Sequence, residues 1–387
     1  MARIELTTME AVVFGKPAHA ALLEEVERLG ANRIFIVSSR TLNRQTQEVE
    51  RICHALGPNR VTVFDQVTAH VPRKDVVAAT QAARDFGADL IVTIGGGSPT
   101  DAAKAIALCL ANGIDSAEQI DQLRTKKDAN GLPLPPDFGG PAIPQISIPT
   151  TLSAGEFSAI AGVTDERTGT KEILKHPGLM PRVVILDAAV AAHTPEWLFL
   201  STGVRAIDHC VEGICSNSAN PLGDAQALRG LEFLSRGLAR IKADPSDNAA
   251  RLDCLLGAWL SMGPLVSGVP MGASHGIGYV LGAKYGIPHG HTSCLMLPAV
   301  MEWNAPSNSE RQKLVSQAMG HPNHKASDVL NDLISDLGLP RGLEKAGISR
   351  QAFGEIARAS LATPWVPQNP RKIHGAGDVL EILELAK

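Results

Sequence analysis

A strand that ends in three consecutive glycines and runs directly into a helix constrains this chain more than any other feature. Residues 90–94 form a short β-branched run that predicts a buried strand, and the residues that follow it are Gly95, Gly96 and Gly97. Ser98 is suited to cap a helix and Pro99 to occupy its first position, so we predict a helix that continues to residue 110. A turn without side chains lets backbone N–H groups approach an anion, and the positive end of the helix dipole lies at the same point. The turn therefore predicts a phosphate or diphosphate site, with a tight connection that holds no ligand as the alternative.

The glycine turn lies within a regular alternation of strand and helix patterns. Predicted strands lie at residues 33–38, 61–64, 90–94, 146–151 and 183–187, and predicted helices at residues 20–29, 45–56, 73–86 and 101–110. This alternation is typical of a parallel, doubly wound sheet with helices on both faces. The glycines do not follow the Gly-x-Gly-x-x-Gly spacing, so we predict a Rossmann-like α/β fold without the ordinary Rossmann fingerprint.

The second half of the chain has a different character. After about residue 190 the strand-like runs vanish, and helical spacing continues through residues 195–216, 221–243 and 248–266 and onward to residue 383. Earlier, the residues 124–144 are rich in proline, glycine and charge, which predicts a long surface excursion. We predict an α/β dinucleotide-binding domain over residues 1–190 and an all-helical domain over residues 191–387, with a small-molecule site in the cleft between them.

Composition excludes several classes of function. The 387 residues carry a net charge of −4 and only 4% aromatic residues, which argues against nucleic acid or an anionic membrane as a partner. The six cysteines are scattered, the N-terminus has no apolar signal region, and no apolar run reaches the length needed to cross a membrane. We therefore predict a cytoplasmic protein with reduced thiols that acts on a small molecule.

Three histidines lie inside otherwise apolar helical stretches of the second half: His209, His275 and His289. One such residue alone is most simply explained as a hydrogen-bonded core histidine. Three of them in one domain indicate a metal site or an acid–base site, because imidazole serves in both. The last two are too far apart in the sequence to share one helix face, so a helix–turn–helix must bring them together, and the turn can be supplied by Gly282, Gly286 and Pro288.

Together these motifs resemble the iron-containing (group III) alcohol dehydrogenase superfamily over nearly the whole chain. The matching segments are residues 95–104, 148–151, 164–171, 181–187, 203–213, 274–290 and 369–372. The resemblance implies a dehydroquinate synthase-like architecture, a homodimer, and hydride transfer between NADPH or NADH and a substrate bound in the helical domain. It also implies that the cofactor contacts Gly95, Gly96, Gly97, Ser98, Asp101, Thr150, Thr151 and Lys171.

Two departures from the family pattern indicate one branch of it. Metal-dependent members hold a divalent ion with one Asp and three His, and the corresponding residues here are Arg205, His209, His275 and His289. In addition, the loop between Thr151 and Glu156 is one residue shorter than in metal-dependent members. Both departures resemble the maleylacetate reductases, which implies reduction of a keto or unsaturated keto acid by NAD(P)H without a metal. Asp101 instead follows the alcohol dehydrogenase pattern, and Tyr279, where metal-dependent members carry a further His, fits neither branch.

Arg205 changes the chemistry that the three histidines can perform. A guanidinium is always charged and has no lone pair to donate, so it repels a divalent cation. Asp208 is expected to point about 100° away from His209 on the helix, which makes it a poor substitute ligand. Arg205 can clamp a substrate carboxylate or stabilise charge on the substrate oxygen, unless it only pairs with an internal carboxylate such as Glu212. The predicted catalytic residues are His209, His275, His289, Arg205 and Tyr279, and no tightly bound metal is expected.

Two other functions are compatible with the same residues. One is a metal-dependent alcohol or aldehyde dehydrogenase that holds its ion with three His ligands and water. The other is a dinucleotide-binding protein that has lost catalysis and acts in regulation or assembly.

The end of the predicted strand at residues 33–38 bears on the choice between NAD and NADP. Enzymes that select NAD usually place a carboxylate at this point, where it binds the ribose 2′-hydroxyl and repels a 2′-phosphate. The residues here are Ser39 and Arg40, and the guanidinium can pair with the extra phosphate. We therefore expect NADPH to be accepted at least as readily as NADH.

Overall fold

The computed structural model describes residues 4, 9–124, 126–127, 133–134, 138–141 and 143–387. They divide into two units. The first contains the described residues between 9 and 151 together with Gly155–His193, and the second contains Ile4, Leu152–Ala154 and Thr194–Lys387. None of the described helices combines the length and the hydrophobicity that a membrane crossing requires.

All strands of the described residues belong to the first unit. They are β1 Ala11–Phe14, β2 Ile34–Ser38, β3 Val61–Phe64, β4 Leu90–Gly95, β5 Lys126–Lys127, β6 Pro133–Leu134, β7 Gln145–Pro149, β8 Ile160–Asp165, β9 Thr170–Lys175 and β10 Val183–Leu186. Six of them form one parallel sheet in the order β1-β10-β7-β4-β2-β3. β5 pairs with β6, and β8 pairs with β9, each antiparallel.

Helices cover both faces of the parallel sheet. The helices of the first unit are α1 Ala18–Leu29, α2 Arg40–Gln45, α3 Glu48–Leu56, α4 Arg73–Phe86, α5 Gly97–Ala111 and α6 Ala188–Ala191. Phe35 and Val37 of β2 pack into the core that contains α4 and α5, whereas Ile34 and Ile36 pack into the core that contains α1 and α3. Successive side chains of a strand point to opposite faces, so a strand that is apolar at every position must be covered twice. The predicted doubly wound α/β fold is confirmed.

The helix is the type of regular secondary structure found among the described residues of the second unit. Its helices are α7 Glu196–Cys215, α8 Pro221–Ala243, α9 Asn248–Ser261, α10 Gly263–Val266, α11 Ala273–Tyr285, α12 His289–Ala318, α13 Ala326–Asp336, α14 Phe353–Ser360 and α15 Ala376–Leu385. The predicted turn after α11 is present: Gly286 adopts the left-handed conformation with φ 68°, and Pro288 precedes the first residue of α12. Glycine supplies that conformation at the end of a helix without a steric penalty.

Three predicted helix boundaries are wrong. The helix after the glycine turn begins at Gly97 with Gly96 as its N-cap, rather than after Ser98. Residues 45–56 are not one helix, because Thr46 is extended and separates α2 from α3. Residues 248–266 are also divided, and the break comes just before Pro264, since proline cannot donate its backbone N–H in a helix interior.

The predicted surface excursion at residues 124–144 lies largely outside the described residues. Of its described part, Lys126 is paired with Leu134 and Lys127 with Pro133 in the antiparallel β5–β6 pair.

Candidate functional site

The glycine turn lies where β4 ends and α5 begins, at the edge of the parallel sheet where open α/β folds bind their ligands. Gly95 has a φ of 149°, and a Cβ on it would lie 3.0 Å from Pro99 Cγ. A Cβ on Gly96 would lie 3.0 Å from Thr151 Cγ2. The first N–H groups of any helix have no intrahelical partner, and in α5 no side chain caps them. A turn that has no room for side chains and offers backbone donors fits a diphosphate.

Ser98 is in the first turn of α5 rather than at its cap, which still places it beside this anion site. The helix can begin before Pro99 because Pro99 lies in its first turn, where a backbone N–H would have no intrahelical acceptor, so the N–H that proline lacks is not missed. Thr150 and Thr151 follow β7 and are buried next to the turn. The backbone N–H of Thr150 donates to the carbonyl of Gly95 at 2.9 Å.

A hairpin brings the predicted cationic residue to the same region. Lys171 on β9 is opposite Thr164 on β8, and its side chain crosses Gly162, where a Cβ would overlap it. Lys171 Nζ lies 3.6 Å from Asp101 Oδ2 on α5. The structure therefore brings Lys171 and Asp101 together close to the start of α5.

Two charged residues beneath this turn were not predicted. Lys104 is fully buried, and its Nζ donates to the carbonyls of Gly155 and Ser158 at 2.6 Å and of Ile160 at 3.0 Å. Burial lowers the pKa of Lys104 to about 8 and raises the pKa of the buried Glu156 to about 7. The signal was present in the sequence, since Lys104 is a cation within an Ala-rich helical stretch whose other charged residue is Asp101. Such a charge needs internal acceptors.

Ser39 and Arg40 lie at the carboxyl end of β2, as predicted from the strand. Ser39 is the N-cap of α2, and its Oγ accepts a hydrogen bond from the N–H of Leu42 at 3.3 Å. The N–H of Ser39 donates to the carbonyl of Ile94 at 3.2 Å, which places it beside the end of β4. Arg40 is exposed.

In the second unit, one face of α7 carries four polar residues in succession: Arg205, Asp208, His209 and Glu212. Their spacing of three, four and seven residues puts them on the same side of a helix. The last three are at most 7% exposed. A buried polar face of this kind must find its partners on neighbouring helices.

Glu212 holds the start of α11 and the ring of His275. Glu212 Oε2 accepts a hydrogen bond from the N–H of Gly272 at 2.8 Å, and Oε1 accepts one from the N–H of Ser274 at 2.7 Å. His275 Nδ1 donates to Glu212 Oε2 at 2.8 Å. The carboxylate thus caps a helix N-terminus, where negative charge is favoured, and also fixes the ring orientation. His275 Nε2 is buried and has no hydrogen-bond partner among the described residues.

The structure brings two of the three histidines into ring contact. The centroids of His209 and His275 are 5.0 Å apart. His289, the first residue of α12, packs against α11 at Tyr279, with ring centroids 6.3 Å apart and an edge-on orientation. Tyr279 lies one turn beyond His275 on α11, so the two pairs share one side of that helix.

The expectation that Asp208 points away from the site is wrong. Asp208 Oδ2 lies 3.4 Å from His275 Nδ1 and 3.8 Å from Arg205 Nη1. The reason is that side chains from both neighbouring helices reach α7: Ser274 of α11 and Ser293 of α12 each donate a hydrogen bond to Asp208. Residues offset by about 100° on α7 therefore meet the same neighbours. Asp208, rather than Glu212, is the carboxylate next to Arg205 Nη1.

Burial governs the ionisation of these groups. It raises the pKa of Asp208 and raises the pKa of Glu212 to about 7. Burial, with the Arg205 charge nearby, lowers the pKa of His275 to about 3, and burial also lowers the pKa of His209. Both imidazoles are therefore neutral near pH 7, next to a guanidinium that keeps its charge.

Sequence reasoning gave no role in the site to Ser274 and Ser293, and it considered Asp208 only as a poor metal ligand and Glu212 only as an internal partner for Arg205. The signal for Glu212 was its position seven residues after Arg205 in an apolar helix. The serines carried no signal, because their role depends on which helices become neighbours.

Two family models cover the chain. The model described as iron-containing alcohol dehydrogenase matches residues 10–188, and the model described as the C-terminal part of the Fe-containing alcohol dehydrogenase family matches residues 199–386. Dehydrogenase FUM7 of Gibberella moniliformis (strain M3125 / FGSC 7600) is 32% identical, with 97% of this chain and 95% of that protein covered. The maleylacetate reductase of Burkholderia cepacia is 31% identical, with 94% of this chain and 91% of that protein covered.

This chain is also similar to a solved structure of a protein with the same name as one of these relatives. The maleylacetate reductase from Rhizobium sp. strain MTP-10005 has a TM-score of 0.82 and 28% identity, with 100% of this chain and 98% of that chain covered. The relatives are a dehydrogenase and reductases by name, and the glycine turn fits the diphosphate of a dinucleotide. This chain is an NAD(P)-dependent oxidoreductase and belongs to the iron-containing alcohol dehydrogenase family.

Proposed function

We propose that the enzyme uses NAD(P)H to reduce a small anionic keto acid or unsaturated keto acid, and that it does so without a catalytic metal. The observation that carries the proposal is the position of Arg205, a permanent cation next to the neutral imidazoles of His209 and His275. The relatives named maleylacetate reductase support the same substrate class.

Arg205 has the geometry of a carboxylate clamp. Its Nη1 donates to Ser293 Oγ at 3.1 Å, and no other described residue hydrogen-bonds the guanidinium. Nε and Nη2 therefore remain for a ligand, and their N–H groups form the edge that a carboxylate accepts with two parallel hydrogen bonds. The side chain is only 13% exposed, so water screens such a pair weakly.

The same group of residues can support reduction of a carbonyl. Bound NAD(P)H supplies the hydride, and the substrate oxygen gains negative charge as the hydride adds. Arg205 contributes to stabilising that oxygen mainly in substrates whose carboxylate it holds in place, in a site from which water is largely excluded. Since His275 Nδ1 donates to Glu212, Nε2 of the neutral ring carries the lone pair and can accept a hydrogen bond from the hydroxyl that forms on the product. We assign delivery of the proton to the Tyr279 hydroxyl, with the His289 ring beside it.

The donor set argues against a divalent ion held by protein ligands. The position that carries Asp in the family pattern is a guanidinium, which cannot ligate and repels cations. Glu212 already accepts two backbone N–H groups and the His275 ring. Asp208 Oδ2 already accepts the hydroxyls of Ser274 and Ser293 at 2.8 and 2.6 Å. A metal would have to replace these hydrogen bonds while standing close to a cation.

One observation favours a second candidate, a metal-dependent alcohol or aldehyde dehydrogenase. Asp208, Glu212 and His275 each offer a ligand atom, and these atoms lie within 4.8 Å of one another. Alternatively, His275 could bind the ion through Nε2, which has no hydrogen-bond partner among the described residues, together with His209 and His289. Metal content and chelation distinguish this candidate from the metal-free reductase.

We also propose that NADPH is accepted at least as readily as NADH. Ser39 and Arg40 are the residues at the carboxyl end of β2, where NAD-selective enzymes place a carboxylate. The exposed Arg40 side chain is available to pair with a 2′-phosphate.

The experiment that tests the proposal is an NAD(P)H-oxidation screen. Keto acids and unsaturated keto dicarboxylates are compared with neutral aldehydes and ketones of similar size, each with and without a chelator. The proposal expects the anionic substrates to have the higher kcat/KM, unchanged by the chelator. A preference for neutral aldehydes that disappears with the chelator would establish the second candidate instead.

A further inference from the structure

We propose that Ser293 and Asp208 act as positioning residues that set the orientation of the Arg205 guanidinium, and that they thereby determine the preference for anionic substrates. This inference rests on the proposed function, because it explains how the same clamp is held. Neither residue touches the substrate in this account. Both act through Arg205.

Three helices meet at one carboxylate oxygen. Arg205 Nη1 on α7 donates to Ser293 Oγ on α12 at 3.1 Å, and the Ser293 hydroxyl donates to Asp208 Oδ2 on α7 at 2.6 Å. Ser274 on α11 donates its hydroxyl to the same oxygen at 2.8 Å. The two serines and Asp208 are all fully buried. The hydroxyl of Ser293 thus links the guanidinium to the carboxylate.

The link is needed because Arg205 and Asp208 do not bond directly. Their closest atoms, Nη1 and Oδ2, are 3.8 Å apart, which is beyond hydrogen-bond distance. At that distance the carboxylate attracts the guanidinium without fixing its rotation. The Ser293 hydroxyl accepts a hydrogen bond from Nη1 and donates one to Oδ2. These two hydrogen bonds fix the orientation of the guanidinium relative to the carboxylate. The edge with Nε and Nη2 is then turned away from Asp208.

A fixed edge matters because recognition of a carboxylate by two hydrogen bonds depends on orientation. An arginine side chain that must be ordered during binding loses conformational entropy at that moment. A side chain that a buried hydrogen bond already holds has lost this conformational entropy during folding, so binding does not have to remove it. The preference for anionic over neutral substrates should therefore depend on Ser293, although Ser293 is uncharged.

The alternative is that both serines have a purely structural role, in which their hydrogen bonds only hold α11 and α12 against α7. In that case Ser274 and Ser293 are equivalent, since each is buried and each donates one hydroxyl hydrogen bond to the same atom. They differ in one respect: Ser293 also accepts from Arg205, and Ser274 does not. Ser274→Ala is therefore a matched control for Ser293→Ala.

The experiment measures kcat/KM for one anionic substrate and one neutral analogue with each variant. The ratio of the two values cancels the fraction of folded enzyme, so a loss of stability does not alter it. For Ser293→Ala the anionic-to-neutral ratio should fall about tenfold, the order expected for one lost hydrogen bond to a charged group. For Ser274→Ala the ratio should stay within about twofold of wild type.

Arg205→Ala separates failure of the inference from failure of the proposed function. If Arg205→Ala lowers the ratio but Ser293→Ala does not, or if both serine variants lower it equally, the positioning role of Ser293 is overturned and the clamp stands. If Arg205→Ala leaves the ratio unchanged, the proposed function is overturned together with the inference.

Discussion

Replacing Arg205 by alanine should damage turnover of anionic substrates far more than turnover of neutral ones. Truncating one partner of a desolvated charge pair costs about 2–5 kcal/mol. We expect the lower half of that range. A loss of about 2–3 kcal/mol corresponds to a fall of about 30- to 150-fold in kcat/KM. The assay is NADPH oxidation with a keto acid and with a neutral aldehyde of similar size.

Two further variants sharpen this test. Arg205→Lys should recover little of the lost activity, because an ammonium cannot reproduce the two parallel N–H groups of the guanidinium. Arg229→Ala is the matched control: Arg229 is an exposed arginine of the same unit that pairs with Glu232 on the surface, and it should leave both substrates unaffected. If Arg205→Ala slows both substrates equally, or only lowers the melting temperature, the clamp reasoning is refuted.

Three other predictions concern the first unit. Gly96→Val should raise the Kd of NADPH at least about tenfold in a fluorescence titration, because a Cβ there meets Thr151 and closes the approach to the backbone N–H groups. Gly377→Ala is the control, because a Cβ at that position meets no other atom. Unchanged NADPH binding by the Gly96→Val variant would mean that the turn is purely structural. Arg40→Ala should raise the KM for NADPH several-fold and leave that for NADH unchanged; equal changes would contradict the 2′-phosphate contact. Glu156→Gln should flatten the pH dependence of unfolding. With a pKa of about 7 folded against 4.5 unfolded, Glu156 contributes stability below pH 4.5 that is lost as pH rises through 7, on the order of 3 kcal/mol. Chemical denaturation of both proteins at pH 4.5 and pH 8 measures the difference, and parallel profiles would contradict it.

The architecture of the first unit follows from local patterns in the sequence. The predicted bounds of β3 and α4 agree with the structure, because Pro72 and Gly87 mark the ends of α4 and a β-branched run defines β3. The edge strand β1 and the short helix α2 were not predicted. β1 consists of four apolar residues that are only partly buried, and so short a run does not by itself distinguish a strand from other apolar segments.

The site was predictable residue by residue but not as a set of contacts. The resemblance to the family pointed to Arg205, an isolated histidine in an apolar helical stretch pointed to His209, and helix periodicity placed Asp208 about 100° from His209. The error lay in assuming that the angle decides whether Asp208 reaches the site. That outcome depends on where α11 and α12 pack, and therefore on Ser293 and its neighbours. Tertiary packing of this kind is not encoded in the spacing of any one helix.

The central claim is that Arg205 replaces the metal in function, and metal analysis of active enzyme tests it most directly. Protein purified without added metal is assayed with a keto acid before and after dialysis against chelator, and its iron and zinc are measured in the same samples. The account predicts substoichiometric metal and activity that dialysis leaves intact. Stoichiometric iron or zinc, with activity lost on chelation and restored by adding the metal back, would contradict it.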